Sequence, residues 1–249
     1  LEAGLVYVLN QEMEGGGHCY LPQEKLLASA AENLYLKPEG DAEVSEHEEA
    51  KAKAQLASKL EPTLADLVER GMLVAESVSL MGHEEVAIYT PSFHATEKAV
   101  AERVHQLLHS PWRNRPKPAE IDRILESLPD HEKLSEEQET AVRRALSESL
   151  LILTGGPGCG KTFCTNFIVQ ALEKLGKRIQ IAAPTGRAAK RAAEVSGREA
   201  KTIHRMLAFD PEKKGFKHGP GEPLELDVLV VDESSMLDLM LTHNTLRAV

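Results

Sequence analysis

The chain has 249 residues, 42% of them hydrophobic and 27% charged, a globular composition that excludes collagen-like, low-complexity and disordered readings and allows one large domain or two ordinary ones. Its 29 basic and 39 acidic residues leave a net charge of −10, which argues against a protein that coats polyanions by bulk charge but leaves room for a local basic track. No apolar run approaches the roughly 18 residues that span a bilayer and no charged-then-apolar leader opens the chain, so a cytoplasmic protein without membrane contact is expected. Its three cysteines (Cys19, Cys159, Cys164) form no C-x-x-C pair and indicate neither a disulfide scaffold nor a structural zinc. The first residue is Leu1 rather than methionine, which suggests a piece of something longer.

The first half predicts a small, mostly helical domain. Apolar residues Leu5, Val6, Val8 and Leu9 open a helix that Gly15, Gly16 and Gly17 should stop. A short extended piece at 18–21 follows, and then a second helix with Pro22 in its first turn and Leu26, Leu27, Ala30, Ala31 and Leu34 at helical spacing. Residues 39–49 hold six acidic residues and no Lys or Arg, a solvated loop or helix entry. Pro62 is expected to open another short helix through Leu64, Leu67 and Val68, with Gly71 at its C-terminal cap. Runs at 72–80 and 86–90 flank Met81-Gly82-His83 as a hairpin. Helices, a short strand, helices and a hairpin give the order of a winged helix, which serves DNA binding and protein contact alike. Neither its helix nor its hairpin is rich in Lys or Arg. A helix over about 93–108 leads away, and 111–118 reads as a proline-rich linker. The expected organisation is thus a helical, winged-helix-like domain at 1–110, linker and connecting helix at 111–133, and a third part at 134–249.

That third part carries the chemistry. Residues 150–153 form an apolar run of strand length that enters Gly155-Gly156-Pro157-Gly158-Cys159-Gly160-Lys161-Thr162, a full G-x-x-x-x-G-K-[ST] match. Its glycines let backbone N–H groups converge on phosphate oxygens, Lys161 adds a point charge, and the Thr162 hydroxyl suits magnesium. The helix that follows has an apolar face of Phe163, Phe167, Ile168, Ala171, Leu172 and Leu175. A strand at 178–183 comes next. A further apolar run, 228–231, ends at Asp232-Glu233: Asp232 can hold the magnesium shell and Glu233 can orient and deprotonate water, the rival reading being that both cap a following helix. The fold class is therefore α/β, with a mainly parallel sheet and nucleotide at its carboxyl edge. Between Lys177 and Gly219 lie eleven basic and four acidic residues, the local charge that a phosphate-backbone track needs.

Together, Leu134-Ser135-Glu136-Glu137-Gln138, the Gly155 to Thr162 loop, Ala183-Pro184-Thr185-Gly186-Arg187-Ala188-Ala189-Lys190-Arg191, Thr202-Ile203-His204-Arg205-Met206-Leu207 and Val231-Asp232-Glu233-Ser234-Ser235-Met236 resemble, in order and spacing, the Q-motif and motifs I, Ia, Ib and II of RecD-like superfamily 1 DNA helicases. The resemblance covers 134–249 strongly and 1–110 weakly. It implies a RecA-like P-loop domain in a DNA repair helicase that couples ATP hydrolysis to 5′ to 3′ translocation on single-stranded DNA and to duplex unwinding. ATP and Mg2+ are the implied cofactors; single strands, duplex junctions and other repair or replication proteins are the implied partners. By this resemblance Lys161 and Glu233 are catalytic. Gln138, Gly156, Pro157, Gly158, Cys159, Gly160, Lys161, Thr162 and Phe163 hold nucleotide, and Thr162 and Asp232 hold the metal. Pro184, Thr185, Gly186, Arg187, Lys190, Thr202 and His204 contact DNA. Ser135-x-x-Gln138 is equally a capping box, and His204 equally a structural histidine. Motif III, the second RecA-like domain and its arginine finger have no counterpart before Val249, so the sheet is expected to be incomplete at the C-terminus and the chain alone inactive. The alternative is a nucleotide-binding regulator in which the P-loop domain switches a winged-helix module.

Overall fold

The computed structural model describes residues 1–35, 45–80, 82–110, 112 and 115–249, and they divide into two units, Leu1–Lys98 and Ala99–Val249. In the first, α1 (Glu2–Gly16) stops at Gly17, whose φ of 68° lies in the left-handed region glycine adopts freely. Strand β1 (Leu21–Pro22) leads into α2 (Gln23–Leu34), with Pro22 one position before the helix rather than in its first turn. Most of the acidic stretch, 36–44, lies outside the described residues.

Helix α3 (Glu46–Glu69) corrects the expectation that Pro62 starts a helix, because Pro62 sits inside it. The start is set instead by Ser45, whose hydroxyl accepts from Glu48 N while the Glu48 side chain accepts from Ser45 N. Buried Leu60, Leu64 and Leu67 lie on both sides of the proline and dock into one core with Leu5, Leu9 and Leu26, so packing outweighs the lost backbone bond. Gly71 N–H donates to Val68 O and Met72 N–H to Leu67 O, the paired bonds of a Schellman stop. Strands β2 (Val74–Leu80) and β3 (His83–Tyr89) form the hairpin, its register closing at Leu80 opposite His83. The antiparallel sheet has the order β1-β3-β2. Helix α4 (Pro91–His109) starts in this unit.

The second unit is mixed α/β. After α5 (Pro118–Glu126) and α6 (Glu136–Ala145) come α7 (Lys161–Lys174), β4 (Ile179–Ala183), α8 (Gly186–Ser196), β5 (Ala200–Thr202) and α9 (Ile203–Met206). A ribbon of β6 (Phe209–Asp210) and β7 (Gly215–Phe216), then β8 (Val228–Val231) and α10 (Leu239–Arg247), complete it. The parallel sheet has the order β5-β4-β8, with Ile181 opposite Ala200 on one side and Val230 on the other.

Residues 150–153 form no strand, contrary to expectation. A strand needs a hydrogen-bonding neighbour, and among the described residues β8 pairs only with β4. Ile152 is 79% exposed, whereas Leu153 packs against the core that α5, α6 and α7 share through Leu125, Val142, Phe167 and Leu172. Arg103 of α4 donates to the carbonyls of Leu246 (3.2 Å) and Val249, a cation at the C-terminal end of α10. No helix among the described residues is long and apolar enough to cross a membrane.

Candidate nucleotide and nucleic-acid site

Chain direction gathers the candidate residues at one edge. Helix α7 returns into β4 through four residues, so it runs against the strand and its first turn lies at the strand's carboxyl end. Since β5 and β8 are parallel to β4, that edge also bears Pro184, Thr185 and Gly186 after β4, Thr202 and His204 at the end of β5, and Asp232 and Glu233 after β8.

The loop from Gly155 to Gly160 is exposed over most of its length, and two of its glycines are required by conformation: Gly158 has φ 80° and Gly160 φ 76°. A Cβ on Gly160 would also lie 2.6 Å from Gln138 Nε2. Gly160 begins α7 without a side-chain cap, and the first helical bond is Cys164 N–H to Gly160 O at 2.9 Å. The preceding N–H groups of the first turn are therefore left for a ligand anion, with the helix dipole behind them. Lys161 Nζ donates to the carbonyls of Gly155 and Gly156, the latter at 2.9 Å. The ammonium thus already stands within the cradle. Thr162 is exposed beside it, and Phe163 stacks edge-on against Phe167 with centroids 4.9 Å apart. Cys159 is exposed and Cys164 buried, its thiol pushed up in pKa by burial.

Gln138 performs the capping role and a second one that its motif did not announce. Its Oε1 accepts from Ser135 N at 3.1 Å, and its Nε2 donates to Cys159 O at 3.1 Å. One amide thus ties the start of α6 to the phosphate loop. The Cys164 thiol donates to Gln138 O at 3.6 Å, adding a second tie between α6 and α7.

At the end of β8, Asp232 Oδ1 accepts from Glu233 N at 2.9 Å, and Glu233 has φ 51° and ψ 41°. Its side chain caps nothing in the short 3₁₀ turn Ser234–Met236, so the capping rival has no support at Glu233. A left-handed glutamate costs about 1 kcal/mol or more and is the kind of strain that functional positions hold. Arg191 Nη1 stands 4.0 Å from Glu233 Oε1, a neighbour with no signal in the sequence.

The DNA candidates separate by kind. Thr185 accepts from Ala188 N at 3.2 Å and Thr202 from Arg205 N at 3.2 Å, each capping the helix it precedes. Helix α8 buries Ala188, Ala189 and Ala192 and exposes Arg187, Lys190 and Arg191; Lys190 is only loosely paired to Glu194, at 3.9 Å. His204 is exposed and its ring touches Phe209 and Phe216.

Residues 138–249 match the model of the AAA domain family. The ATP-dependent RecD2 DNA helicase of Deinococcus radiodurans is 32% identical over 254 aligned positions, which take in all of this chain and 32% of that protein. The RecD subunit of the RecBCD enzyme of Mycolicibacterium smegmatis is 38% identical over 46% of this chain and 25% of its own length. The ATP-dependent DNA helicase dda of Enterobacteria phage T4 is 38% identical over 42% of this chain and 26% of its own length. The chain thus spans between a quarter and a third of these relatives. The phosphate loop, the Asp232-Glu233 pair and the basic helix α8 stand at one sheet edge, and the chain is similar over its full length to a RecD-like DNA helicase.

Proposed function

We propose that the chain is the N-terminal and first motor portion of an ATP-dependent DNA helicase acting in the cytoplasm, one that moves 5′ to 3′ on single-stranded DNA and opens duplex junctions. The observation that carries this reading is a shared edge: the uncapped start of α7 and the basic outer face of α8 both lie at the carboxyl end of β4. A nucleotide and a phosphate backbone can then be held by neighbouring turns of one sheet.

In this reading Gly156, Pro157, Gly158, Cys159 and Gly160 shape the cradle, Lys161 exchanges its loop carbonyls for phosphate oxygens, and Gln138 and Phe163 border the base. Thr162 and Asp232 supply oxygen ligands of the hard kind that magnesium takes. Bound Mg·ATP supplies the free energy of phosphoanhydride hydrolysis. Glu233 orients water and accepts its proton, with Arg191 Nη1 4.0 Å from its carboxylate. Pro184, Thr185, Gly186, Arg187 and Lys190 follow the DNA backbone, joined by Thr202 and His204.

The unit Leu1–Lys98 carries 18 acidic and 7 basic residues. This charge supports a winged-helix-type module that contacts another repair or replication protein rather than DNA. Titration with a fluorescent ATP analogue, with Mg2+ and then with excess chelator, tests the nucleotide site. Saturable binding that weakens on chelation and is displaced by ATP is the expected result, and absence of binding in both conditions overturns it.

A further inference from the structure

Among the described residues, Arg191 differs from the other cations on the outer face of α8 in reaching off its own helix. Arg187 makes no ion pair, and Lys190 lies 3.9 Å from Glu194, one turn along. Arg191 Nη1 stands instead 4.0 Å from Glu233 Oε1, on the turn that follows β8. Sequence spacing does not dictate this choice. Glu194, three residues along the same helix, is an ordinary partner for Arg191 and is not the one it takes.

Backbone sets both ends of the pair. Thr185 caps the start of α8, and Glu233 is fixed by its left-handed φ of 51° and by the bond from its N–H to Asp232 Oδ1. The link between them is weak. Its side chains are 71% and 40% exposed, and 4.0 Å is beyond hydrogen-bond length, so it directs a carboxylate while contributing little to stability. A phosphodiester offers the same guanidinium two short, charge-assisted bonds in a fork that an ammonium cannot match. Competition for Arg191 therefore favours a phosphate that comes alongside α8.

We propose that Arg191 is a positioning residue that changes partners: in the free chain it holds Glu233, and when a single strand lies along α8 it moves to a strand phosphate and leaves the Glu233 carboxylate to water. While Oε1 is turned to a guanidinium it is not turned to water, so the base is withheld until the polyanion is present. The proposal rests on the reading of α8 as the DNA track and of Glu233 as the group that takes the proton of water, and it adds the link through which one governs the other. The strand is taken by its phosphates, whatever its sequence, because a backbone contact carries no base information.

The test uses the whole chain and a short fluorescent oligothymidine, with affinity read by anisotropy over a series of low salt concentrations. Glu233→Gln removes the competitor for Arg191 and should tighten binding about threefold with the salt slope unchanged. Arg191→Ala should weaken binding and flatten the slope by about 0.7, one phosphate contact, and in that background Glu233→Gln should no longer tighten it. Arg191→Lys keeps the charge and should restore the gain. In chain labelled with carbon-13, the Glu233 carboxyl resonance, assigned by its loss in Glu233→Gln, should move when the strand is added to the parent and stay in place in Arg191→Ala. A gain from Glu233→Gln that persists in Arg191→Ala is a general charge effect and overturns the exchange, as does an unmoved resonance in the parent; both leave DNA binding by α8 standing. Failure of the parent to bind the strand at low salt overturns the DNA reading and the exchange with it.

Discussion

Gln138 shows how one side chain can be claimed by two readings and satisfy a third. Its amide is spent on the cap of α6 and on the carbonyl of Cys159, so in the proposed nucleotide site it would act first through the position of the loop. Gln138→Ala should lower thermal stability by about 1 kcal/mol through the lost cap and weaken Mg·ATP binding, as melting and calorimetric titration would show. Gln138→Glu keeps the acceptor but sets a carboxylate against Cys159 O, and should weaken binding further. Lys161→Ala removes the charge facing the terminal phosphates and should cost at least tenfold in affinity, about 1.4 kcal/mol; equal affinities would sink the phosphate-loop assignment. Glu233 is separable from these. Because its φ is 51°, Glu233→Gly should raise the melting midpoint by the release of about 1 kcal/mol of strain, whereas Glu233→Gln keeps the strain and should melt like the parent.

At the scale of elements, what was legible followed from local rules. The capping box of Ser135 and Gln138 and the glycine stops at Gly17 and Gly71 are written in short local spacings, and the hairpin in two runs about a turn. What misled was tertiary. Pro62 reads as a helix start because its ring forbids one backbone bond, but the leucines on either side are buried in one core and carry α3 through it. Residues 150–153 read as a strand because they are apolar, yet strand pairing belongs to two segments and the sequence of one cannot supply it. The tie between Gln138 and Cys159, and the approach of Arg191 to Glu233, join residues distant in sequence and have no local signature.

Two predictions belong at the same scale. Pro62 is exposed, so Pro62→Ala restores a backbone bond without disturbing the core and should stabilise by about 1 kcal/mol, the helical gain exceeding the lost rigidity of the unfolded chain. A fall in the melting midpoint would mean that α3 bends there to fit its partners. The second concerns Arg198, which holds Glu173 of α7 by two bonds of 2.5 Å and lowers the glutamate's pKa. A carboxylate depressed in the folded state contributes stability that is present above its unfolded value, 4.5 here, and is lost as pH falls through the lower folded value. Arg198→Ala should therefore cost roughly 0.5–1 kcal/mol at neutral pH, the pair being partly exposed. It should also flatten the melting curve's dependence on pH below that unfolded value, and melts from pH 3 to 7 would reveal an unchanged profile if the pair were idle.

Across the whole molecule the charge is divided, and on the proposed reading the division bears on how DNA would be held. Leu1–Lys98 has 18 acidic and 7 basic residues, and Ala99–Val249 has 21 acidic and 22 basic. The chain's negative charge thus resides in the first unit, while the second is near neutral with its cations concentrated between Lys177 and Gly219. A net charge of −10 acts over a Debye length of about 10 Å at 0.1 M salt, so at moderate ionic strength the local track rather than the total should decide affinity. The logarithm of the affinity for a single strand should then fall with the logarithm of salt at about −0.7 per phosphate neutralised. Charge reversal of Arg187 and Lys190 together, on the exposed face of α8, should reduce that slope by one to two contacts' worth. Reversal of Lys51 and Lys59, both exposed on α3, changes net charge by the same amount and should leave the slope as it was. If both pairs shift the slope equally, binding answers to total charge and the track on α8 is not where DNA runs.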